Sequence, residues 1–201
     1  MQRITGSPQA SLVAGLVVCA ILIALALATS DAIDWFGFSS FLVRFVHVAA
    51  AMVWIGLVVF VNFVQLVALQ TADDQARGFL HKAIVPNVAW WFRHGSTLTV
   101  VTGAILVLTM GYALPTLVYG TAVYVSPSRA LLFWSGVLGG FVMWMLVHMY
   151  IWPNMQVVLG LRPGDAAAKA QARARVIMFA RLNLVLALPV TLAMVAAAHL
   201  Y

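Results

Sequence analysis

Apolar residues along this chain fall into long runs with few polar interruptions. The central run, Phe41 to Leu69, reads FLVRFVHVAAAMVWIGLVVFVNFVQLVAL. Coiled as a helix with ~1.5 Å rise per residue, it exceeds the ~30 Å hydrocarbon core of a bilayer. Similar runs lie at Ala10–Ala28, Trp91–Leu114 (closed by Pro115), Arg129–Trp152 (stopped by Pro153) and Val176–Ala198. The pattern predicts an all-α, polytopic integral membrane helix bundle with five transmembrane helices. Ala26-Leu27-Ala28, behind Arg3 and an apolar stretch, also resembles a signal-cleavage site, which would leave four helices. Retention is the expectation, because the run is long enough to span.

The second run carries Arg44, His47, Asn62 and Gln65. Polar groups are costly at that depth, so they are expected to meet other helices, a cavity or a cofactor. His47, Ala51 and Trp54 share one helix face, and Gly56 is expected to let a neighbouring helix come close.

The connectors are polar and uneven in charge. Residues 71–88 carry Asp73, Asp74, Arg77 and Lys82 and are broken by Pro86, while Phe79, Leu80, Ile84 and Val85 suit a short interfacial helix. The loop after the fourth run carries Arg162, Lys169, Arg173 and Arg175 against Asp165 alone. Ser30–Gly37 and Thr116–Ser128 carry little positive charge. By the positive-inside rule, the N-terminus is cytoplasmic and the C-terminus periplasmic or external.

Composition agrees. Hydrophobic residues make up 64% and charged residues 8%, where soluble domains carry about 25% charged. The lipid bilayer is therefore the first partner. The net charge of +6 sits at helix ends, where it sets topology, and does not indicate nucleic-acid binding. The lone Cys19 excludes an intrachain disulfide, a CxxC redox pair and covalent c-type haem attachment. There is no Walker loop, Gly-x-Ser-x-Gly or zinc-protease His-Glu pair. No carboxylate lies inside an apolar run, which argues against a pump built on a buried Asp or Glu.

Histidine is then the residue type left to carry chemistry. Counting from span centres, His47 lies roughly 12 Å to the outer side, and His94 and His148 roughly 10–13 Å to the inner side. His199 sits at the outer boundary. A bis-histidine haem needs two imidazoles from different helices at comparable height. Two pairs meet the height condition, His47 with His199 and His94 with His148. Each has a plain alternative: a histidine bonded to a neighbouring helix, a headgroup-level histidine beside Arg93, or one at a chain end. His81, in the connector, reads as a solvated residue.

Four stretches taken in order resemble a known family. They are Arg44-x-x-His47 with Trp54-Ile55-Gly56 and Asn62-Phe63-Val64-Gln65; Trp91-Phe92-Arg93 with Thr102-Gly103; Ile151-Trp152-Pro153-Asn154 with Gln156; and Arg181-x-Asn183 with Pro189, Met194 and His199. Their order is similar to the membrane domain of the cytochrome-c-fused bacterial urate oxidases (urate hydroxylases) and its short stand-alone relatives. More distantly, it resembles the membrane-bound protoporphyrinogen oxidases. The resemblance covers about residues 40–201 as a four-helix core, with 10–28 an added N-terminal helix, in a single membrane domain spanning 1–201.

The resemblance implies His47 and His199 as functional positions, with Arg44 suited to a haem propionate and Trp54 to a pocket wall. His94 and His148 are the second-choice pair. The expected function is a protein that binds haem b. It would move electrons between the quinone pool or a membrane partner and a periplasmic acceptor such as a separate cytochrome c. The chain has no CxxCH of its own, so urate oxidation would need the cytochrome on another polypeptide. A cofactor-free accessory subunit of a larger membrane complex is the alternative from another class.

Overall fold

The computed structural model describes residues 6–30, 32–109 and 126–200. Among them the chain is all-helical, and four helices are long and apolar enough to cross a membrane. These are α1 (Pro8–Ala28), α2 (Trp35–Thr71), α5 (Pro127–Val158) and α6 (Ala166–His199). Between them lie the short α3 (Asp74–Ala83) and α4 (Val85–Thr109). The chain divides into two compact units, Met1–Ser39 and Ser40–Tyr201.

In the first unit, α1 starts at Ser7, whose side chain accepts the Ala10 N–H (3.2 Å), with Pro8 in its first turn. Proline suits that position because its missing N–H would have had no partner there. α1 carries no charge and is apolar on every side.

The second unit is an up-and-down bundle of α2, α4, α5 and α6. Its antiparallel order is read from paired heights. Trp54 of α2 meets Gly95 of α4, and His47 meets Gly103. Thr97 of α4 meets His148 of α5, while Gly136 and Gly139 of α5 meet Met194 and Val190 of α6. The Asn62 amide of α2 donates to the Ala180 carbonyl of α6 (3.2 Å), closing the ring of four. The core draws on all four helices: Trp54, Val58, Phe92, Met143, Val147 and Ala187 are all buried. On α6 the buried positions Val176, Ala180, Asn183 and Ala187 recur every three or four residues. Small side chains there let the neighbouring backbones come close, as in packed membrane helices.

Several expected boundaries are corrected. α4 begins at Val85, not Trp91, and Pro86 does not break the connector but sits in the first turn of α4. α5 does not stop at Pro153. It widens into a π-helical segment, Leu146–Ile151, and continues to Val158. A proline inside a helix clashes with the preceding turn and removes a hydrogen bond. Here the wider turn comes just before it, with Trp152 N–H donating to the Val147 carbonyl. A second π segment, Val61–Gln65, interrupts α2.

α6 begins at Ala166, so Lys169, Arg173 and Arg175 lie on a helix and not in a loop. Asp165 caps it by accepting the Ala168 N–H (2.7 Å). α5 ends where Leu161 N–H reaches the Gln156 carbonyl (2.8 Å) and Gly160 N–H the Val157 carbonyl (3.2 Å). That turn needs a positive φ, which Gly160 supplies at 75°. The connector does hold the expected short helix, α3, capped by Asp73 accepting the Ala76 N–H (2.8 Å). Gly56 has no neighbour close to it; the close approaches fall at Gly95, Gly103, Gly136 and Gly139. The expected end of the third run at Leu114–Pro115, and most of the loop after it, lie outside the described residues.

Candidate functional site

Two sites emerge at opposite ends of the bundle. The first centres on His47. Its Nδ1 lies 2.9 Å from the Thr99 carbonyl oxygen and 3.2 Å from Thr102 Oγ1, both on α4. A carbonyl only accepts, so Nδ1 carries the proton and donates it, and Nε2 keeps its lone pair. The Thr102 hydroxyl spends its own proton on the Leu98 carbonyl (2.6 Å). The imidazole rests against Gly103, where a methyl would come 3.0 Å from Cε1. This is a cradle that only a residue without a side chain leaves open.

The other residues expected near His47 are placed less favourably. Trp54 is 2% exposed and belongs to the core cluster. Its indole N–H has no partner. Arg44 is exposed, three residues before His47 on the same helix. His199 is exposed on the last turn of α6. No hydrogen bond or ring contact among the described residues joins it to His47. No three His, Cys, Asp or Glu among the described residues gather as a metal-binding group.

His94 and His148 share a local device that spacing alone did not reveal. His94 donates from Nδ1 to the Trp90 carbonyl (2.8 Å) and stacks on the Trp90 ring (centroids 4.1 Å apart). His148 does the same with Trp144, at 3.0 Å and 4.6 Å. Each pair is Trp-x-x-x-His, one helical turn apart. His148 is then fully engaged. Thr97 Oγ1 donates to its Nε2 (3.1 Å) and accepts the Trp144 indole N–H (3.3 Å).

The second site is a partly open cavity of about 110 Å³ lined by α2, α3, α4, α5 and α6. Both π segments line it, through Val61 and Gln65 on one side and Val147 and Ile151 on the other. Such segments recur at functional sites because the extra residue per turn redirects side chains. Its wall is apolar, with Arg77, His81, Arg93 and Arg173 among the lining residues and no Asp or Glu. Arg93 lies over the Trp152 ring, 4.2 Å from its centroid. Arg77 is spent on structure, donating to the Leu69 and Ala72 carbonyls at the end of α2 and pairing with Asp74. Gln65 is 6% exposed, and its Oε1 has no partner.

His81 is not a solvated residue. It is half-buried, and its Nδ1 is enclosed without a partner. Burial, and then the charges of Arg173 and Arg77, hold its pKa below the ordinary histidine value. Sequence reasoning passed over this cavity because its residues come from five separate helices. The readable signals were Gln65, a polar residue inside an apolar run, and Arg93 beside a tryptophan-rich stretch.

Neither protein-family models, nor curated proteins, nor solved structures yield a match to this chain.

Proposed function

We propose that the chain is an inner-membrane protein with five spans, cytoplasmic at its N-terminus, that binds haem b through His47 and carries electrons. The most apolar stretch of α4 is less apolar than those of the other four long helices. It is 25 residues long and lies antiparallel between α2 and α5, so it crosses wherever they cross. The basic residues Arg77, Lys82, Arg162, Lys169, Arg173 and Arg175 gather at the α3 end, which supports a cytoplasmic assignment for that end.

One observation carries the haem reading. The Nδ1 hydrogen bond to the Thr99 carbonyl orients the His47 ring and leaves Nε2 as a lone-pair donor. This is the arrangement by which outer hydrogen bonds prepare a ligating histidine. His47 would hold the iron, and Arg44 would suit a propionate at the same end. His199 is the proposed second ligand, from another helix. Bound haem would supply one-electron chemistry between a quinone-pool or membrane donor and a periplasmic acceptor.

A cofactor-free accessory subunit is the second reading. It is favoured by His148, whose two ring nitrogens are both engaged, one by the Trp144 carbonyl and the other by Thr97 Oγ1. The visible spectrum and haem-to-protein ratio of the detergent-purified protein decide between them. Haem near one per chain with b-type bands, lost in His47→Leu, supports the first reading. A colourless, helical preparation supports the second. Reduction of the haem by urate would identify the electron donor.

A further inference from the structure

The cavity at the α3 end has chemistry that the histidine site does not use. Arg93 lines it on α4 with its guanidinium over Trp152, and no carboxylate is present among the lining residues. An arginine a few ångströms inside the inner boundary is costly unless it meets an anion or water. Arg173 adds positive charge to the same cavity from α6. Toward the α3 end of α2, Gln65 offers an enclosed amide oxygen with no hydrogen bond, and an unsatisfied buried polar atom is costly until a donor reaches it. Apart from Gln70, Arg77 and His81, the remaining wall, including Leu66, Ile151 and Val176, is apolar.

We propose that this cavity binds an acidic phospholipid whose head carries hydroxyl groups. Its phosphate would pair with Arg93 in the field of Arg173, a head-group hydroxyl would donate to Gln65, and a stretch of one acyl chain would lie against the apolar wall. Charge complementarity selects the phosphate, since every charged lining residue is basic. The orphaned acceptor selects a hydroxyl-bearing head. A volume of about 110 Å³ holds part of one chain, and the rest of the lipid stays in the bilayer. The site rests on the membrane reading above and is independent of haem.

Native mass spectrometry of the full chain in detergent tests this, with phosphatidylglycerol, phosphatidylcholine and inorganic phosphate titrated separately. One phosphatidylglycerol should be retained about tenfold more tightly than phosphatidylcholine, a difference of about 1.4 kcal/mol. Inorganic phosphate should not displace it. Arg93→Gln should abolish the preference, Arg93→Lys should keep most of it, and Arg162→Gln, in the α5–α6 turn, should leave it unchanged. If Arg93→Gln loses helicity, Arg173→Gln and Gln65→Leu should each lower the preference in a folded protein. Equal retention of the two lipids, displacement by phosphate alone, or a preference untouched by these substitutions would overturn the proposal. His47→Leu should leave lipid binding intact, so a failure of the haem reading is read separately.

Discussion

The His47 imidazole donates across the α2–α4 seam to the Thr99 carbonyl, 2.9 Å away, while its ring rests against Gly103. A backbone carbonyl inside an α-helix has lone-pair capacity beyond its helical bond, so one acceptor serves both helices. The bond anchors His47 between two helices and fixes which nitrogen carries the proton. The same contact can therefore serve packing or prepare a ligand, and substitutions beside it separate the two.

Gly103→Ala is the sharper of these. The added methyl would lie 3.0 Å from His47 Cε1 and 3.3 Å from Nδ1, so the ring or the helix must shift. Overpacking of this kind costs about 1–3 kcal/mol. The expected outcome is a lower thermal midpoint together with reduced haem occupancy or a changed spectrum. An unchanged spectrum at full occupancy would place the haem away from this ring.

Two glycines of α5 should differ in their tolerance of alanine. At Gly139 the new methyl would come 2.5 Å from Val190 Cγ2, whereas at Gly136 it would meet the Met194 side chain at 3.0 Å. Valine is stiff at χ1, and methionine has three rotatable bonds. Gly139→Ala should therefore lower the thermal midpoint clearly, and Gly136→Ala much less. Equal effects would mean that the α5–α6 contact adjusts as a rigid body.

The stability of the bundle should fall on mild acidification because of His81. Its folded pKa is lowered by burial, by Arg173 on α6 and by Arg77 on α3. Below about pH 6.5 the unfolded chain takes up a proton that the folded chain resists, so stability decreases until the folded pKa is reached. The thermal midpoint of the wild type should drop across that window. In His81→Gln the drop should be smaller, and identical profiles would assign the acid sensitivity elsewhere.

Orientation is tested directly. A reporter fused after Tyr201 should report the periplasm, and one inserted near Pro163, in the turn between α5 and α6, the cytoplasm. The reverse result would move the basic cavity to the outer face and remove the lipid argument built on the inner leaflet.

The sequence by itself determined the helical class and the apolar runs, because a long stretch without charge has few other stable forms. It also determined that the basic residues fall in alternate connectors. Capping at Ser7, Asp73, Ser126 and Asp165 follows from local chemistry of the same readable kind.

Tertiary structure decided what periodicity cannot express. The α-helical period assumes one turn geometry, and the two π segments break it, carrying α5 past Pro153 and shifting which side chains face inward. Close approach depends on what lies opposite a glycine, so Gly103 and Gly139 matter while Gly56 does not. The nitrogen of His47 that is free to act depends on a carbonyl 52 residues away. The cavity joins Gln65, His81, Arg93 and Arg173, four residues far apart in sequence on four helices. Only packing brings them together, because each contact is a relation between chain segments and not a property of either one.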